Sequence, residues 1–75
     1  MGIPMKTLQL DTASVVSRAR KMTDAALRYS RKDANEAAEA AEGLAKAGCR
    51  VIKDGGYYRD EACVYAAELR RRGVE

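Results

Sequence analysis

Few side chains in this chain of 75 residues have the chemistry that catalysis needs. The chain contains no His, which is the commonest general base at neutral pH. Its clustered acids, Glu36, Glu39 and Glu42, recur every three residues and so spread around the polar face of a helix, as solvated charges do. The pair Gly55 and Gly56 lacks the flanking Lys-Ser/Thr of a phosphate-binding loop. We therefore expect no enzymatic activity, no catalytic residue and no cofactor.

The two cysteines, Cys49 and Cys63, allow two interpretations. A helical hairpin turning at Gly55 would place them near each other, which makes a disulfide or redox pair one interpretation. The other, which we favour, is two unlinked thiols in a reducing cytoplasm, where Cys behaves as a small hydrophobe. Two Cys without His cannot complete a four-ligand zinc site unless a dimer supplies the other ligands. We expect no metal site, and the pairing of the thiols stays open.

A stripe of four basic side chains is the first candidate partner-binding surface. Its members, which lie nearly opposite the apolar side of a predicted helix, are Arg18, Lys21, Arg28 and Lys32. Such a stripe contacts solvent, an acidic protein or a nucleic-acid backbone. The net charge of +3 is milder than a dedicated DNA-binding module usually carries. We expect a protein partner with an acidic surface, and nucleic acid stays an alternative.

Three residues after the turn at residues 54–56 form a second candidate partner-binding surface: Tyr57, Tyr58 and Arg59. Tyr and Arg are the residue types that dominate binding hot spots. The alternative is that Tyr58 closes the core of the hairpin while Tyr57 rests on it. We expect this aromatic and cationic group to contact the partner.

An apolar stripe predicts one long amphipathic helix over residues 12–32. Apolar side chains recur there at spacings of three and four residues, which places them along one side of a helix. The chain has no Phe or Trp, and much of its 47% hydrophobic content is Ala, so its own core is thin. We therefore expect a homodimer whose interface includes Val15, Met22 and Tyr29.

Two further helices, over about 34–53 and 58–72, are expected to form a hairpin. Gly73 occupies the place of the glycine that ends a helix, directly after the basic run 70–72. The chain is thus expected to be all-α, with an extended arm, one long helix and a helical hairpin.

The boundary between the first two helices depends on a weak capping signal. Asp33 followed by Glu36 resembles a capping box, which predicts a break at residues 32–34. The alternative is one continuous helix from Thr12 to beyond Gly43, because no Gly or Pro interrupts that stretch.

Residues 1–10 are expected to form a short extended arm, and residues 11–75 one helical domain. Pro4 disfavours a helix, and Leu8 and Leu10 alternate with polar residues in the period of a strand. No segment is apolar and long enough to cross a membrane, and no secretion signal is visible. We expect a soluble cytoplasmic protein.

The arm and the start of the helix resemble ribbon-helix-helix repressors over residues 6–23. The resemblance implies a dimeric ribbon in the DNA major groove, with Thr7 and Gln9 reading bases and with Leu8 and Leu10 facing the core. It also implies a short first helix followed by a turn, in place of one unbroken helix. The alternative function is therefore a nucleic-acid-binding transcriptional regulator that uses the arm and the basic helix face.

Segments 43–48 and 60–73 are similar to parts of one helical-hairpin repeat of the pentatricopeptide kind. The chain holds no second copy, and a single repeat cannot bury its own faces. The resemblance implies a helical hairpin and gives no indication of RNA binding.

These observations together favour a non-enzymatic binding protein that acts by covering a surface of a protein partner. Catalytic groups are lacking, and the charges are segregated onto separate faces beside exposed Tyr and Arg. Small helical proteins of this kind are often phage-encoded inhibitors of host systems, including CRISPR systems, and we take this class as our working expectation.

Overall fold

The described part of the chain, residues 9–74 of this computed structural model, begins with a short helix and a long helix joined by a turn. Helix α1 spans Thr12–Ala19 and helix α2 spans Asp24–Lys46. Asp11 caps α1, because its carboxylate accepts hydrogen bonds from the Ser14 N–H at 3.2 Å and from the Ser14 hydroxyl at 2.8 Å. The single first helix predicted from the apolar stripe is therefore wrong, and two helices take its place.

The turn at residues 20–23 ends with a cap that the sequence analysis missed. Thr23 Oγ1 accepts a hydrogen bond from the Ala26 N–H at 3.1 Å, and Asp24 adds a negative charge to the first turn of α2. The apolar side chains keep their helical spacing through residues 20–23, so the spacing did not reveal the turn. A short first helix and a turn are the two features that the ribbon-helix-helix resemblance implies, and both are present.

The break predicted at residues 32–34 is wrong, because α2 runs through this point without interruption. Ala34 is buried in the core, whereas Asp33 is exposed on the outer side of the helix and caps nothing. The helix predicted over 34–53 begins earlier and ends earlier than expected. The alternative of one continuous helix from Thr12 is wrong as well.

Helix α3 spans Gly55–Arg71 and begins three residues before the predicted range 58–72. Its cap is Asp54, whose Oδ1 accepts a hydrogen bond from the Tyr57 N–H at 2.9 Å. The side chain of Asp54 thus starts the helix at the two glycines that the sequence analysis had assigned to a turn.

Two glycines with positive φ end the longer helices. Gly48 has a φ of 84° and Gly73 a φ of 76°, in the left-handed region that favours glycine. At Gly48 the Cys49 N–H donates to the Leu44 carbonyl at 2.9 Å, which closes a Schellman motif, and an equivalent bond closes α3. The prediction that Gly73 ends the last helix is confirmed, whereas Gly48 ends α2 and does not lie within it.

The core lies between the three helices and is as thin as the composition predicts. Leu27 and Leu69 are the largest fully buried side chains. Around them the core is built of small residues and one aromatic ring, namely Val15, Ala19, Ala34, Ala62 and Tyr65.

Helix α3 packs along α2 as an antiparallel hairpin and also against α1. The all-α prediction is confirmed, and no strand occurs between residues 9 and 74. Most of the predicted arm, with its base-reading candidate Thr7, lies outside the described residues. None of the helices in the described range combines the length and the hydropathy needed to span a bilayer.

Candidate binding surface

Basic side chains collect at the end of the molecule where α1 ends, α2 begins and α3 ends. Two contacts join the first turns of α2 to the end of α3: Arg72 Nη1 lies 2.8 Å from Asp24 Oδ1, and Arg28 Nη2 lies 3.2 Å from the Val74 carbonyl oxygen. Residues 18–32 and 68–74, which we call the basic end, contain nine basic and two acidic residues. The other described residues contain four basic and eight acidic residues. The fold therefore produces a charge separation much stronger than the net charge suggests.

Three of the predicted partner-binding residues, Lys21, Arg28 and Lys32, are exposed at the basic end. Arg18 lies on α1, Lys21 in the turn, and Arg28 and Lys32 on α2, so the predicted basic stripe does not run along one helix. Exposed Arg70 joins them from α3. Arg70 is part of the basic run 70–72 and was not predicted to be a partner-binding residue.

Arg18 belongs to a hydrogen-bonded chain between α1 and α3. Its Nη2 donates to the Tyr65 hydroxyl at 3.2 Å, and that hydroxyl donates to Glu61 Oε1 at 2.7 Å. The hydrogen bond to Tyr65 raises the pKa of Arg18, and burial raises the pKa of Tyr65. Arg18 therefore links α1 to α3. This structural role was not part of its prediction as a partner-binding residue.

Arg72 fastens all three helices at the basic end. Its Nε donates to Glu68 Oε2 at 2.8 Å, in addition to the contact with Asp24. Its Nη2 donates to the carbonyl oxygens of Ala19, the last residue of α1, and of Arg20, which caps that helix, both at 3.2 Å. The planar guanidinium has enough fixed donors to hold these acceptors at once.

Glu68 is the carboxylate at the centre of this network. It accepts two hydrogen bonds from Arg71, at 2.9 and 2.6 Å, besides the one from Arg72. The guanidinium of Arg71, followed by that of Arg72, lowers the pKa of Glu68 from 4.5 to about 2. The carboxylate therefore keeps its charge well into the acid range.

This lowered pKa predicts an acid-dependent loss of stability. A carboxylate with a folded-state pKa of about 2 and an ordinary value of 4.5 stabilises the fold above pH 4.5, and this contribution disappears as the pH falls towards 2. Thermal unfolding followed between pH 7 and pH 2 should show this decline. Glu68→Gln should be less stable at pH 7 and should lose part of the acid dependence.

The control for this measurement is Glu39→Gln, because Glu39 is exposed and forms no ion pair with another residue in the range 9–74. That variant should keep the wild-type pH profile. Identical profiles for the Gln variants at positions 39 and 68 would contradict the assignment.

The second predicted surface, Tyr57, Tyr58 and Arg59, lies at the opposite end of α3. Arg59 Nη1 donates to Asn35 Oδ1 at 3.2 Å and its Nη2 to Glu42 Oε1 at 2.8 Å, so this side chain joins α3 to α2. Both Tyr rings are half-buried and meet edge to face with centroids 5.4 Å apart. The structure therefore does not bring this group together with the basic end.

The residues predicted for a dimer interface occupy three different environments. Val15 is buried in the core of the single chain, and Met22 is half-buried against that core. Tyr29 is 72% exposed and lies on α2 between Arg28 and Lys32. Tyr29 thus belongs to the basic end, and Val15 offers almost no surface to a second copy. A homodimer stays a prediction.

An apolar groove of about 440 Å³ runs between α1 and α3. Its floor includes Val16, Val64 and Ala67, and Cys63 contributes to its wall. Cys63 and Cys49 are both exposed free thiols, so the interpretation without a disulfide agrees with the structure.

Among residues 9–74 no group of three or more His, Cys, Asp or Glu side chains is arranged to hold a metal ion. No protein-family model, curated protein or solved structure matches the chain. Function must therefore be inferred from the side chains of the chain itself.

Proposed function

We propose that this chain is a non-enzymatic binding protein that covers an acidic surface of a protein partner with its basic end. The observation that carries the proposal is Tyr29, which is 72% exposed between Arg28 and Lys32. An exposed Tyr with Arg and Lys near it on the same helix has the residue types of a binding hot spot with a charged rim. Lys21 and Arg70 extend the rim from the turn and from α3.

The sequence of charges along α2 favours a folded protein over a nucleic-acid backbone. Glu36 follows Lys32 by one helical turn, and Glu39 and Glu42 follow in the next two turns. A phosphate backbone that followed α2 beyond the basic end would meet these carboxylates and be repelled. A protein surface that carries both signs of charge would complement both halves of the helix. An inhibitor that blocks a partner, as phage-encoded inhibitors do, would act in this way.

Nucleic acid remains the second candidate because of the turn at residues 20–23. An arm followed by a short helix, a turn and a long helix is the order that the ribbon-helix-helix resemblance implies. In this candidate, Gln9 lies on the ribbon that reads the bases, and the basic end contacts the phosphates of the nucleic acid.

A site-specific photo-crosslink tests the protein candidate first. Benzoylphenylalanine placed at Tyr29, in cells of the source organism, should form a covalent adduct with one protein that mass spectrometry identifies. The same group at Leu44, which is 51% exposed on the same helix outside the basic end, should not crosslink to that protein.

Two matched charge reversals then test the basic end itself. The double variant Lys21→Glu with Lys32→Glu should weaken binding to the identified partner by about 30-fold, because attraction becomes repulsion. Lys46→Glu with Lys53→Glu changes the net charge by the same amount at the other end and should leave the affinity within about threefold. Equal losses in the two double variants would contradict the proposal.

Fluorescence anisotropy with labelled double- and single-stranded nucleic acid completes the test. The protein candidate expects no binding even at low salt. Tight binding that falls steeply with salt and disappears in Lys21→Glu with Lys32→Glu would make nucleic acid the first candidate.

A further inference from the structure

The groove between α1 and α3 has opposite charges at its two ends. Both helices run in the same direction along it, since the end of α1 binds Arg72 near the end of α3. Asp60 therefore lies with Thr12 at one end of the groove, and Arg20 lies with Arg71 at the other. The floor between the two ends is apolar.

The charge at each end is available to a partner. Asp60 and Arg20 are exposed, and neither forms an ion pair with another residue of the described range. At the Arg20 end the carboxylate of Glu68 is already neutralised by Arg71 and Arg72, so Arg20 gives that end its charge.

We propose that the occupant of this groove is a second copy of the chain, related by a two-fold axis that passes beside Val16. Such an axis reverses the direction of the groove, so each charged end meets the opposite end of the other copy. Arg20 then pairs with Asp60 of the partner subunit, and the symmetry makes this pair twice. Helix α1 of each copy packs as a ridge into the groove of the other, around the two copies of Val16.

The groove predicts a weak dimer, because its two-helix face is small. Stable dimers bury about 800 Å² on each partner, and a face formed by one side of an eight-residue helix and its neighbour offers less. We therefore expect a dissociation constant in the micromolar range, about 10 to 100 µM. This inference does not rest on the proposed function: Arg20 and Arg71 belong to the basic end, but Tyr29, Lys21 and Lys32, which carry and test that proposal, do not line the groove.

Reversing the charges that pair across the two-fold axis tests the inference. The dissociation constant of each variant is measured by analytical ultracentrifugation at protein concentrations from about 1 µM to about 1 mM, the range of weak affinities. Arg20→Glu and Asp60→Lys should each weaken dimerisation by at least about tenfold, because each variant creates two repulsive pairs. Combining the two substitutions restores attraction at both sites and should return the affinity to within about threefold of the wild type. Lys32→Glu serves as the control and should leave dimerisation unchanged.

A disulfide test locates the axis. In a background with Cys49→Ser and Cys63→Ser, the variant Val16→Cys should form a covalent dimer under mild oxidation, because the two copies of residue 16 face each other. Thr12→Cys in the same background lies away from the axis and should remain monomeric. A wild-type chain that is monomeric at every concentration would overturn the inference. A dimer that is insensitive to both charge variants and is crosslinked equally at residues 12 and 16 would overturn it too.

Discussion

Replacing Arg72 by Ala should lower the melting temperature by roughly 10 °C or more, a large effect for a domain of this size. The substitution leaves Asp24 and Glu68 without their shared cation, and it removes the side-chain donor that the carbonyls of Ala19 and Arg20 share. Only 20% of the Arg72 side chain is exposed, so water replaces these bonds poorly. Circular dichroism followed during heating measures the effect.

The neighbouring arginine supplies the control for this experiment. Arg70 lies in the same last turn of α3, is exposed and binds no carboxylate in the described range, so Arg70→Ala should change the melting temperature by no more than about 2 °C. Arg72→Lys should fall between the two, because one ammonium keeps the charge but cannot reach all the acceptors. Equal melting temperatures for the two Ala variants would contradict the role assigned to Arg72.

Replacing Leu27 by Ala should remove most of the stability of the protein at room temperature. The side chain of Leu27 is completely buried in the core. Its truncation to Ala therefore lowers the free energy of unfolding by about 3 kcal/mol. A core in a chain of this length supplies only about 3–5 kcal/mol in total. Urea titration followed by circular dichroism should show a midpoint less than about half that of the wild type.

Leu44→Ala is the matched control, since Leu44 lies on the same helix and is 51% exposed. We expect its stability to lie within about 0.5 kcal/mol of the wild type. A Leu27→Ala variant with a normal urea midpoint would show that another subunit, and not the core around Leu27, supplies most of the stability.

The fold class could be predicted from local features of the sequence. The apolar period predicted helices, and Gly73 predicted where the last one ends. Thr23 was overlooked because a continuous apolar period outweighed a single cap. Asp33 and Glu36 have the spacing of a capping box, but Ala34 is buried in the core and α2 continues through this point.

The candidate surface was predictable only in part, since it is made by contacts between distant residues. Lys21 and Lys32 are close enough in sequence to be identified as one basic region. The role of Arg72 depends on Asp24, which is 48 residues away, and no periodicity encodes such a pair. Tyr29 was assigned to an apolar stripe, and only the turn after α1 rotates it away from Val15 and into the basic end.

The short length of α1 makes this helix depend on its contacts with α3. An isolated helix of eight residues is not stable in water, because too few hydrogen bonds offset the cost of its first turn. Helix α1 therefore exists only while it is docked on α3, where Arg18 and Arg72 retain it. We therefore expect α1 to unfold locally as a separate unit, so that its backbone amides exchange with solvent without the hairpin having to open.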